Sequence, residues 1–118
     1  MMWLEVIRVR TFQSVHSVNI ALSHMNAAKE KLSNIPDLDG AAIYCGLTSP
    51  FEAAIHLFWK SVDPVLSGGS APGQQLTRDL AKFGMVDHFI WSLRNAWDAA
   101  AEGRAKFDAD EPREEARI

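Results

Sequence analysis

Four histidines, a single tyrosine and a single cysteine are the side chains best suited to proton transfer, nucleophilic attack or metal binding in this sequence. His16 and His24 are eight residues apart, too far along a helix for the one-turn spacing that paired metal ligands need. His56 and His88 fall in separate apolar runs with no acid at ligand spacing, so no metal site is expected. Cys45 stands alone, which excludes an internal disulfide and any multi-cysteine cluster. Its place within the run 41–47 predicts an inert core thiol, since a nucleophilic cysteine needs a nearby base and a polar setting.

The remaining candidates depend on the elements that carry them. Residues 3–10 are rich in β-branched and aromatic types and read as a strand. From 15 to 33, Val15, Val18, Leu22, Met25, Ala28 and Leu32 recur at three- and four-residue steps, with Ser14 as N-cap, and predict a long helix. Asn34, Pro36, Asp37, Asp39 and Gly40 break that pattern, so the next strand is expected from 41 to 47 and another from 53 to 60. A link as short as 48–52 joins antiparallel neighbours. Ser70 and Pro72 suit a helix start, Leu76, Leu80 and Phe83 continue it, and Gly84 is expected to close it in the left-handed conformation. Residues 86–93 return to strand composition, and 95–106 are alanine-rich enough for a terminal helix.

The order β-α-β-β-α-β, with right-handed crossovers, predicts an α+β, ferredoxin-like sandwich with sheet order 4-1-3-2 and both helices on one face. Strand alternation then puts Ile55, Leu57 and Trp59 on the helix-covered side and His56, Phe58 and Lys60 on the other, with Tyr44 beside His56 and Arg8 able to share their face. Arg8, Tyr44 and His56 together could bind an anion, or they could bond one another or Glu5 and satisfy buried polarity. The strands carry apolar residues at both parities, so the bare face is expected to pack on a second copy, giving a homodimer. The run Ser67-Gly68-Gly69-Ser70-Ala71-Pro72-Gly73 lacks the Gly-Lys-Ser/Thr ending of a phosphate loop and reads as a connector.

Three features resemble the dimeric α+β barrel superfamily and, within it, the antibiotic biosynthesis monooxygenase group. They are the element order, the tryptophan closing strand three in Trp59-Lys60-Ser61, and the run Phe83-Gly84-Met85-Val86-Asp87-His88-Phe89-Ile90-Trp91, which ends a strand in tryptophan. The resemblance implies a homodimer that oxidises an aromatic or polycyclic substrate without a conventional redox cofactor, in a pocket between sheet and helices bounded by Trp59. His88 and His56 are then the strand-borne bases, and Tyr44, Arg8 and Trp91 further pocket candidates. Heme-degrading members carry an asparagine in strand one, the strand-three tryptophan and a histidine in the following helix. Trp59 matches the second, and the other two positions depart from the pattern. A non-catalytic ligand-binding or accessory dimer, and heme binding without turnover, are the alternatives.

Composition sets the outer limits. At 118 residues there is room for one core, since most domains hold roughly 100 to 150 residues. The net charge of −3 supplies no basic footprint for nucleic acid. Five acids against two arginines fall in the last twelve residues, so residues 1–107 are expected to form the domain and 108–118 an acidic tail without fixed structure. No apolar run approaches the roughly 20 residues that span a bilayer, and the expected location is the cytoplasm.

Overall fold

The first strand shows how the fold is set. In the computed structural model, which describes residues 2–60 and 69–92, β1 (Trp3–Thr11) alternates so that Trp3, Glu5, Ile7, Val9 and Thr11 are buried and the residues between them are not. Five more elements follow: α1 (Val15–Leu32), β2 (Leu38–Cys45), β3 (Glu52–Trp59), α2 (Ala71–Leu80) and β4 (Gly84–Ser92). The strands form one sheet of order β2-β3-β1-β4 in which every neighbouring pair is antiparallel, as the ferredoxin-like reading requires.

Both helices pack on the face that carries Trp3, Ile7, Val9, Ile55, Leu57 and Trp59, and they add Ala21, Met25, Leu76 and Leu80 to the core. Trp3 and Trp59 pair across β1 and β3 and stack with ring centroids 5.6 Å apart. The Ser14 hydroxyl accepts from the Ser17 amide, so α1 starts where its cap residue places it. Ser70 caps α2 in the same way through the Gly73 amide, with Pro72 in the first turn where no amide hydrogen is needed.

Three local expectations change. Strand β2 begins at Leu38 rather than 41, because a bulge between Leu38 and Gly40 absorbs the turn-forming Asp39-Gly40 and lets Leu38 pair with Trp59. The strand ends at Cys45, which is exposed rather than buried in the core, and Leu47 is fully exposed beyond it. Gly84 does not close α2. Ala81 caps that helix, and Gly84 opens β4 with an ordinary backbone conformation. Its role is close approach, since a Cβ there would lie 2.6 Å from the Arg10 carbonyl carbon and 2.7 Å from the Thr11 Cα. The helix expected at 95–106 and the acidic tail at 108–118 lie outside the described residues.

Gly84→Ala should therefore destabilise the domain by about 1–3 kcal/mol by prising β4 from β1. Urea melts would show it, and an unchanged midpoint would mean that the β1–β4 edge yields freely.

Candidate functional site

An acid in the middle of a core-facing strand is the least expected residue of β1. Glu5 is completely buried. A carboxylate removed from water is tolerable only if its oxygens are bonded, and three elements supply the donors. From β3, Trp59 Nε1 donates to Oε1 at 3.0 Å. From the cap of α2, the Ser70 hydroxyl donates to Oε1 at 2.6 Å and the Ser70 amide to Oε2 at 3.0 Å. From β4, His88 Nε2 lies 2.6 Å from Oε2. Each oxygen thus has two partners. The carboxylate also sits at the positive end of α2, which favours negative charge there.

Glycine makes room for this contact. Gly69, at φ 82°, and Gly73 both face Glu5 so closely that a Cβ at either would overlap its carboxylate, and one at Gly69 would also lie 2.7 Å from the His88 ring. The positive φ at Gly69 adds a backbone reason for glycine.

His88 is the part of the cluster that solvent reaches, with 17% of its side chain exposed against 0% for Glu5. Its Nδ1 lies 3.4 Å from the Thr77 hydroxyl, which is itself 2.9 Å from the Gly73 carbonyl. A hydroxyl has one proton, and the shorter bond takes it. With Nε2–H donated to Glu5, Nδ1 then keeps a lone pair that has only a long contact, a tautomer assigned from the bonding pattern. The arrangement is an acid orienting an imidazole whose second nitrogen can accept a proton.

The six candidate residues divide between the two faces of the sheet. Trp59 and His88 join Glu5 under the helices. His56, Tyr44, Arg8 and Trp91 lie on the open face, as strand alternation requires. There the His56 ring sits 4.4 Å from Tyr44 and 6.4 Å from Phe58, and Trp91 lies 6.3 Å from Phe89. Arg8 does not bond to His56 or Tyr44. Its guanidinium donates to Asp87 at 2.7 Å and lies 5.5 Å from the Phe89 ring centroid, although it shares a shallow groove of about 140 Å³ with Tyr44. The alternative bonding of these residues to Glu5 is closed, because Glu5 faces the opposite way. Local sequence does not mark Glu5, Ser70 or Thr77 as site residues. The available signal was an acid at the same parity as Trp3, Ile7 and Val9.

The Arg8 hydrogen bond holds the Asp87 carboxyl below its usual 3.8, and burial holds the His56 imidazole below its usual 6.5. Both shifts have the same sign for stability. The unfolded chain binds more protons than the folded one between each folded pKa and its ordinary value, so stability rises with pH there. The His56 contribution is complete above about pH 6.5 and is lost as pH falls through the folded pKa; that of Asp87 follows below about pH 3.8. Denaturation at pH 7 and pH 5 should show a drop that His56→Gln removes.

Glu5→Ala should cost about 3 kcal/mol or more, because Trp59, Ser70 and His88 each lose a buried acceptor. Formate or acetate, small enough to replace the carboxylate, should raise the melting temperature of Glu5→Ala and leave that of the parent unchanged. Equal effects of formate on both proteins would contradict the arrangement.

No protein-family profile and no curated protein matches the chain. Solved structures do. SnoaB, a cofactor-independent oxygenase from Streptomyces nogalater, superposes with a TM-score of 0.54 at 12% identity over 80% of this chain and 95% of that one. Rv0793 from Mycobacterium tuberculosis gives 0.62 at 8% identity over 83% and 100%, and a candidate antibiotic biosynthesis monooxygenase from Nitrosomonas europaea gives 0.59 at 9% over 78% and 89%. The chain therefore has the ferredoxin-like α+β fold of these structures and spans nearly their whole length.

Proposed function

We propose that this protein is a monooxygenase-like homodimer that binds a small hydrophobic or aromatic ligand between sheet and helices, beside Trp59 and His88. The observation that carries the reading is the fully buried Glu5 bonded to both His88 and Trp59. Glu5 fixes the imidazole, Nδ1 takes a proton from the ligand, and Trp59 holds the other carboxylate oxygen in place. An aromatic compound with an acidic C–H or O–H is the substrate class this suits, because its anion can pass electrons to oxygen directly. For a methylene between two aromatic rings, the methylene and O₂ give a ketone and water, with all four electrons supplied by the substrate. SnoaB, described as a cofactor-independent oxygenase, has the same fold at low identity, and its chemistry is the precedent rather than the proof.

The open face supports the dimer. Tyr44, Met85, Phe89 and Trp91 are all exposed on it, forming an apolar surface of the kind soluble monomers seldom leave uncovered.

Two measurements test these readings. Anthrone, added as a probe, should be consumed with one O₂ per molecule, and His88→Gln should lower the rate about 100-fold or more while leaving the melting temperature within a few degrees. Saturable anthrone binding without oxygen uptake would make the protein a ligand-binding module and overturn the catalytic role. Sedimentation equilibrium should give twice the chain mass of 13.1 kDa, reduced to one chain by Trp91→Glu. A monomer at micromolar concentration would remove the dimer.

A further inference from the structure

One row of side chains crosses the middle of the open sheet face. Ala42 on β2, His56 on β3, Val6 on β1 and Phe89 on β4 are register partners in turn, so the imidazole has an apolar neighbour on either side. Its other contacts are rings, those of Tyr44 and Phe58. Among the described residues His56 has no hydrogen bond and no ion pair. It is half-buried already, with nothing above it.

The remaining charged and titratable groups of this face come from all four strands. Arg8 and Arg10 on β1 approach Asp87 on β4 at 2.7 and 3.8 Å, and Glu52 on β3 is the register partner of Arg10 at the same end. Tyr44 is the group on β2, with Asp39 in its bulge, and Lys60 follows β3 at the opposite end. No acid among them is bonded to His56 to hold a positive charge in place once water is removed. His56 is also the group of this face whose charge ordinarily changes in the range of about pH 5 to 8.

We propose that His56 makes association through this face depend on pH: copies with neutral His56 pair, and protonation of His56 separates them. The switch rests on the reading of this face as the homodimer contact. A neutral imidazole packs there as one more ring, whereas an imidazolium in a dry interface without a paired acid is costly. A two-fold contact uses the same face of both copies, so each dimer contains two such rings and must shed two protons to form. Burial already holds the His56 imidazole below its usual 6.5, and a covering chain removes more water in the same sense. The dimer therefore binds fewer protons than the separated chains, and association weakens as pH falls through the pKa of the separated chain.

Sedimentation equilibrium of the full chain at intervals from about pH 7.5 to about pH 5 tests this, with circular dichroism to follow folding. The dissociation constant should rise at least about ten-fold over that range and approach about 100-fold per pH unit at its acid end, as two protons per dimer require. His56→Phe, which keeps a ring that cannot be protonated, should stay dimeric throughout, and His56→Leu supplies a second non-titrating variant of smaller volume. His16, His24 and His88 are intact in both. A pH transition that survives in both variants would overturn the switch, as would a parent chain that dimerises equally at the two ends of the range; in either case the sheet-face dimer stands. A folded parent chain that is monomeric at about pH 7.5 would instead remove the dimer itself, and the switch with it.

Discussion

One carboxylate, sealed from solvent, ties three of the four strands to a helix. Glu5 on β1 is bonded to Trp59 on β3, His88 on β4 and Ser70 at the start of α2, so the position of α2 over the sheet is set by polar contacts as well as by Leu76 and Leu80. Hydrophobic packing alone tolerates sliding; directed bonds of 2.6 to 3.0 Å at a buried point do not. The same contacts orient the imidazole and the indole, so the residues best placed for chemistry are held by the interaction that holds the helix.

The two faces of the sheet divide the labour. One is closed by α1 and α2 and contains the Glu5 cluster. The other carries aromatic side chains and the Arg8–Asp87 pair, whose partners remain 41% and 34% exposed and are therefore screened by solvent. The pair contributes more to the orientation of Arg8 over Phe89 than to stability. Among the described residues no helix is long and apolar enough to cross a membrane.

Much of the fold was legible because β1 and β3 alternate strictly and α1 repeats its apolar residues at helical steps, so parity alone placed Trp59 under the helices and His56 and Tyr44 on the open face. The start of β2 was not legible, since Asp39-Gly40 favours a turn and only pairing of Leu38 with Trp59 reveals the bulge. Gly84 misled for a related reason: glycine after a helix suggests a cap, but here the need for it comes from Arg10 and Thr11, some seventy residues earlier in the chain. Glu5 is not legible as a site residue because its partners come from three elements far apart in sequence. Nothing local marks an acid as satisfied, and only its parity with Trp3 and Ile7 hinted at burial.

The fit between Glu5 and its two glycines has an evolutionary corollary. Gly73 is held to glycine by the long acidic side chain that fills the space its own side chain would need, whereas Gly69 has its positive φ as a second reason. Position 73 can gain a methyl group only after position 5 has shortened, and a shortened residue 5 leaves a void that alanine at 73 would partly refill. Positions 5 and 73 should therefore change together or not at all, so in any set of diverged relatives substitution at one would foretell substitution at the other.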